Sequence, residues 1–384
     1  PLAGVPGLSG VLAMSDSTGM FQHAIGVVPD RRHGYCLDDN VRALMLMNVA
    51  QGLSRSERTR WSGTYASFIQ HAWNPEARRF RNFMRFERTW CEEVGSADSN
   101  GRALWALGHT VENAPDPDIR RWAQVWFDEV WPALDELDWP RARAFVMLGA
   151  AAMLRAQPGH EGARVLLAHG GAWLHDLLDQ GRRPGWTWFE PRLGYDNARL
   201  SQALIEGGLV LDRPDWTCAG LESLAWLAGR QTAAAGHFRP VGSESFAARP
   251  SFVAPGGSPA GLLPDAVLPF DQQPLEAQAA VEAARGAWEA SGEQCWLDHA
   301  LSAHRWFFGG NDRGVVLADM ATGRSRDGVT PRGVNENCGA ESILAFQLAH
   351  YSMLALWGAA RAAPRSGDFV EPGPRSVGQP LANP

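Results

Sequence analysis

The sequence predicts an all-α fold, an (α/α)6 barrel of inner and outer helices with long loops and short β-hairpins at one mouth. Three observations carry the prediction. A polar head followed by an apolar helix recurs six times, amphipathic helices alternate with the apolar ones, and the long connections lead into the apolar helices. A helix that is apolar all round is buried, whereas an amphipathic one faces water on one side.

The first head is "HGYCLDDNVRAL", His33 to Leu44, where Asp38, Asp39 and Asn40 open the run Val41 to Ala50. "ADSNGRALWAL" (from Ala97) and "GYDNARLSQAL" (from Gly194) repeat it. Looser versions begin at Trp139, Phe270 and Asn335. Their spacing of roughly 45–80 residues fits a repeated hairpin unit with insertions. The amphipathic partners are Asp116 to Leu137, Gly162 to Leu178 and Trp296 to Phe308. In the first of these, Ile119, Trp122, Trp126 and Val130 form the expected core stripe. The long connections are Asn74 to Ala97, Gly181 to Tyr195, Arg230 to Phe270 and Gly309 to Asn337, and long loops in a compact domain are usually functional. "RFRNFMRFERTW" and "RGVVLADMATG" read as β-like pieces within them. Parallel inner helices share one face, so Asp39, Asp98, Asp196 and Glu336 are expected at the same end of the barrel. One domain over residues 1–360 is expected, with a Pro/Gly-rich arm over 361–384.

Composition removes several function classes. The 384 residues are 45% hydrophobic and 20% charged, as in ordinary globular chains. A net charge of -7 disfavours a nucleic-acid surface. Every basic residue is Arg, which excludes a Schiff-base or P-loop lysine. The five Cys lack zinc spacing and are expected to be reduced thiols in a cytoplasmic setting. The run Ala144 to Leu154 is too short to cross a membrane, so no membrane partner is expected. No signal peptide is visible, and a start at Pro-Leu-Ala fits a piece of something longer. There is no G-x-S-x-G, no H-E-x-x-H and no G-x-G-x-x-G before a strand-like run; no metal and no cofactor are expected.

What the heads offer is carboxylates, amides, Arg and aromatics. Glycoside chemistry needs that inventory: one protonated carboxylic acid, one carboxylate, and groups that bind hydroxyls. Asp39 and Glu190 are the expected acid/base pair, with Asp38, Glu244 and Glu336 as further candidates. In "GWTWFEPRLGYDNARL", Trp186 and Trp188 are expected to stack on sugar, one of them showing a ring face to the cleft, with Tyr35 as a third. Hydroxyl-binding candidates are His33, Asn40, Asp196, Asn197, His237, Arg239, Asp271, Gln272, Arg326 and Asn335. An N-cap needs one side-chain oxygen, so two adjacent acids are unexplained by capping alone. One of Asp38 and Asp39 is expected to cap the helix with a depressed pKa. The other is expected to point into the mouth with a raised pKa.

"AMSDSTGMFQHA", "HGYCLDDNVRAL", "FDQQPLEA" and "GVNENCGAESILAF" resemble a bacterial domain fused to, or encoded near, glycosyltransferases. It is similar to the six-hairpin glycosidase superfamily of (α/α)6 barrels, over Met14 to Leu356. The resemblance implies an active site at the N-terminal ends of the inner helices, and a fused or neighbouring glycosyltransferase as partner. It implies a carbohydrate-active enzyme, a glycoside hydrolase or transglycosylase on an oligosaccharide or polysaccharide. The alternatives are a non-catalytic glycan-binding module and a sugar epimerase. The superfamily's epimerases use paired His, and neither His33 nor His237 has a clear His partner in sequence.

Overall fold

The computed structural model describes residues 4–243 and 269–362. Among the described residues the α-helices are α1 (Ser9–Ala13), α2 (Leu37–Val49), α3 (Arg55–Ala72), α4 (Ala97–Asn113), α5 (Pro117–Leu134) and α6 (Pro140–Ala156). They continue as α7 (Glu161–Gly181), α8 (Ala198–Val210), α9 (Pro214–Arg230), α10 (Pro274–Ser291), α11 (Gln294–Arg305) and α12 (Ala340–Ala362). The starts follow ordinary helix chemistry. Ser54 and Glu57 form a capping box for α3, Ser96 caps α4, and Pro opens α5, α6, α9 and α10.

The six apolar helices pack in the order α2, α4, α6, α8, α10, α12 and back to α2, which closes the ring. Each of α3, α5, α7, α9 and α11 lies against the inner helix before it, and short α1 lies against α12. All six heads read from the sequence open an inner helix. In α6 every residue from Arg141 to Leu154 is buried, as an inner wall requires. Helix α4 approaches α6 closely because Gly108 meets the Gly149 carbonyl, where a Cβ would overlap. The buried stripe of α5 is Ala123, Phe127, Val130, Ala133 and Leu134. That corrects the expected stripe: Trp122 and Trp126 lie at its edge, where both indole N–H groups reach Gln70 Oε1. By length and composition α12 could cross a membrane, but it serves here as an inner helix, mostly buried.

The expected β-like pieces are present as two- and three-residue pairs. Trp73–Asn74 pairs with Arg79–Phe80, Tyr35–Cys36 with Phe83–Met84, Ala318–Asp319 with Arg324–Ser325, and Gly328–Thr330 with Gly333–Asn335. A further hairpin, Ala24–Ile25 with Val28–Pro29, is tied at Gly26 to Asn337 and Cys338 ahead of α12. The acidic heads share one end, as expected. Asp38 and Asp39 lie in the first turn of α2, Asp98 in that of α4, and Asp196 and Glu336 just before α8 and α12.

Candidate active site

The entrance to α2 answers why two acids stand together. The N-cap position is Cys36, whose side chain makes no capping bond. The cap comes from another loop: Asn82 Oδ1 accepts the N–H of Leu37 at 3.1 Å and of Asp38 at 3.4 Å. Neither aspartate caps the helix, which corrects the division of labour expected from sequence. Asn82→Ala is predicted to cost about 1 kcal/mol, the usual worth of a cap. Equilibrium denaturation would read it, and a change below a few tenths would show that the capping bonds contribute little.

Freed from capping, the two acids take different surroundings. Asp38 Oδ1 accepts from Arg102 at 3.1 Å and Oδ2 from Asn82 at 3.3 Å. Asp39 is only 3% exposed and faces Arg42 at 3.6 Å, while the Cys36 thiol donates to it at 3.0 Å. Burial pushes the Asp39 carboxyl up to about 7; Arg42 and the thiol pull down, while Glu341 and Asp38 push further up. Arg42 is buried and spans to Glu341 at 3.0 Å. These groups line a cavity of about 320 Å³ with Gln22, His23, Asp327 and Asn335. His23 stands edge-on to His33, ring centroids 4.6 Å apart. Partial loss of hydration, and then His33, lower the pKa of His23. The sequence left His33 without a partner; the chain folding back at Phe21 and Tyr35 supplies one.

Behind this cavity a chain of charges crosses the inside of the ring. Arg102 of α4 reaches Asp38 and also Asp196, at 3.0 Å. Asp196 takes Arg199 at 3.1 Å, and Arg199 takes Glu282 of α10. Helices α4 and α8 are separated in the ring by α6, so the Arg102–Asp196 bridge runs through the interior. The guanidinium of Arg102 covers Phe145, that of Arg199 covers Trp105, and the two rings stack at 5.7 Å.

Several sequence candidates hold the scaffold and do not face the cavity. Trp186 and Trp188 are 4% and 0% exposed and pack with Trp226, so the expectation of a ring face in the cleft is overturned. A chain with 17 Trp uses most of them as core. Tyr35 is buried, stacks on Phe21, and donates its hydroxyl to Asp16 at 2.7 Å, so it offers no face to a sugar. Asn40 is spent on the main chain of Met20 and Cys36. Asp196 belongs to the charge chain, and Asn197 bonds Gly194 and Glu276. Glu190 is held by Arg141 at 2.9 Å and does not line the cavity of Asp39. His237, Arg239 and Gln272 converge on Asp312, at 2.7, 2.8 and 2.6 Å. Asp271 accepts from Ser243 through its main chain, and Arg326 pairs with the exposed Glu336. Glu244 lies outside the described residues. Of the candidates, Asp38, Asp39 and Asn335 line the cavity, with His33 behind His23.

Sequence reasoning missed His23, Cys36 and Arg42. Arg42 had a signal, since it stands three residues after Asp39 on one helix face. His23 stands in the quoted stretch "AMSDSTGMFQHA", but its place beside His33 depends on pairing across the chain. Glu276 is a further buried acid at this end, pushed up to about 7 by burial and by Asp196, with Oε1 unpaired.

No family model matches the sequence, and a comparison with curated proteins gives no match. Solved structures do match. Cellobiose 2-epimerase from Bacillus thermoamylovorans aligns with TM-score 0.65 at 9% identity, covering 92% of this chain and 96% of that one. Cellobiose 2-epimerase from Spirochaeta thermophila gives 0.61 at 15% identity, covering 91% and 93%. The GH76 alpha-mannanase BT2949 of Bacteroides thetaiotaomicron gives 0.60 at 11%, covering 91% and 94%. A related alpha-1,6-mannanase from Salegentibacter sp., TM-score 0.57 at 10% identity over 91% of this chain and 96% of that one, is an inactive variant with two consecutive aspartates replaced. At these identities the likeness establishes the fold. The chain thus shares the (α/α)6-barrel fold of these sugar epimerases and mannanases.

Proposed function

We propose that the chain is a carbohydrate-active enzyme working by acid–base catalysis in the cavity of Asp39, and that its reaction is epimerisation or isomerisation of a sugar. The observation that carries this reading is the meeting of His23 with Asp39 in one polar cavity beside Arg42. Moving a proton next to a sugar carbonyl needs a base at C2 and an acid at the carbonyl oxygen. His23, its pKa lowered, takes the C2 proton as the C2–H electron pair forms the enediol double bond. The carbonyl π pair moves to oxygen, which receives the proton of Asp39. Arg42 offsets the charge that develops. For the epimer the enediol turns over, His23 returns the proton to the other face of C2 and Asp39 takes back the O1 proton; for the ketose the proton returns to C1 while the O2 hydroxyl gives its proton to Asp39. Sugar epimerases and a D-mannose isomerase among the similar structures support this choice over hydrolysis.

A second reading, glycoside hydrolysis, is favoured by one feature: the adjacent acids Asp38 and Asp39, a pairing whose replacement accompanies inactivity in the mannanase variant. There Asp39 would protonate the leaving oxygen and Asp38 would serve as the other carboxylate. Incubation with mannose, cellobiose and alpha-1,6-mannotetraose in D2O separates them. Epimerisation is expected to place deuterium at C2, and isomerisation at C1 of the ketose, without releasing reducing ends, and His23→Ala is expected to slow either by about 10²-fold or more. New reducing ends without exchange would install hydrolysis. Binding with neither would leave a glycan-binding module.

A further inference from the structure

A second cavity, of about 530 Å³, occupies the opposite end of the barrel. It is built from the later turns of the inner helices, including His109 and Glu112 of α4, Arg155 of α6, Glu206 of α8 and Glu289 of α10. It shares no lining residue with the cavity of Asp39. The Arg102–Asp196–Arg199–Glu282 chain and the Trp105–Phe145 pair lie between the two, and Glu282 and Trp105 line the rear one.

Its polar groups are mostly fixed by one another. Arg155 holds Glu112 at 2.6 and 3.1 Å and Glu206 at 3.0 Å, and Gln202 donates to Glu206 at 2.8 Å. Glu282 takes Arg199 and, at 2.9 Å, Gln278. Arg285 stands 3.5 Å from Glu289. Three guanidiniums, Arg155, Arg199 and Arg285, thus meet Glu112, Glu206, Glu282 and Glu289, and burial raises the pKa of Glu289. Each of the four carboxylates already has a guanidinium partner, so no cation there is free for an anion and no carboxylate is free for a cation.

One donor is left over. Asn48 donates to His109 Nδ1 at 3.1 Å, which puts the ring hydrogen on Nε2 of the neutral imidazole. The Nε of Arg285 is buried and faces Glu289 Oε1, so it is not free for a ligand. The volume lies in the range of small-molecule sites. Hydroxyl groups, which both donate and accept, suit a wall of fixed carboxylates with a spare imidazole donor; charged ligands do not.

We propose that this rear cavity is a second binding site, for a neutral polyhydroxylated small molecule of mono- or disaccharide size. It does not depend on the reaction proposed for the other end. The test is calorimetric titration of the chain with glucose, mannose and cellobiose, with glucosamine and glucose 6-phosphate as charged comparators. Ala355→Trp and Asn113→Trp place a ring at the rim from exposed positions, and thermal midpoints confirm that both variants fold. At least one neutral sugar is expected to bind in a class of sites that survives Asp39→Asn and weakens tenfold or more in each rim variant. Three results overturn the proposal: no neutral-sugar binding in Asp39→Asn, rim variants that fold and bind like the parent, or tighter binding of a charged comparator. Loss of the front reaction alone leaves this readout intact.

Discussion

Asp39→Asn is expected to lose about 10²- to 10⁴-fold in turnover while becoming more stable at alkaline pH. Asparagine fills the same space but cannot pass a proton. The stability gain follows from linkage. Asp39 has a folded pKa raised to about 7, mainly by burial, against an ordinary carboxyl pKa near 4 in the unfolded chain. A group so raised contributes its full stability below the unfolded value and loses it as pH rises through the folded one. At pH 8 the parent chain therefore carries a buried charge that the amide variant does not, worth on the order of a few kcal/mol; at pH 4 the two should match closely. The activity of the parent should fall as pH rises past about 7, where the acid is spent. Turnover together with denaturation midpoints at both pH values checks all of this. Full activity in the variant would remove Asp39 from the chemistry. A variant less stable at pH 8 would show that its pairing with Arg42 outweighs desolvation.

Arg199→Ala should produce the largest structural loss. This guanidinium is 1% exposed and joins Asp196, Gln202 and Glu282. Removing it leaves Glu282 without a guanidinium and Asp196 with Arg102 alone, and breaking a buried pair typically costs about 3–5 kcal/mol. The cation over Trp105 is lost as well. Chemical denaturation, or failure to accumulate folded protein, would register it. A loss under about 1 kcal/mol would mean that water enters readily and takes over the role of the guanidinium.

The barrel was legible because its helices differ in kind. Ala142 to Leu154 can only be an interior wall, whereas α5, with Arg120, Arg121, Asp128 and Glu129 on its outer side, can only be half-wet. The shared mouth was legible too, since long loops feed the inner helices. What side chains do there was less so. Asp38, Asp39 and Glu190 look equivalent on the page, yet Arg102 takes the first, burial the second and Arg141 the third. Trp186 and Trp188 carry the alternation of a binding loop, but their rings turn onto Trp226, forty residues away or fewer. Asn82 and His23 act at α2 from remote loops, and no local pattern announces either.

The charge chain across the ring also decides how a substrate can travel. A tube open at both ends would let a polymer thread through and be worked on repeatedly without release. Here Arg102, Asp196, Arg199, Trp105 and Phe145 stopper the bore midway, and dislodging them would expose paired charges and stacked rings together. The Asp39 cavity is therefore a dead-end well. Whatever goes in must come out by the mouth it used; under the proposed function, that suits free sugars and chain ends and makes each turnover end in full dissociation.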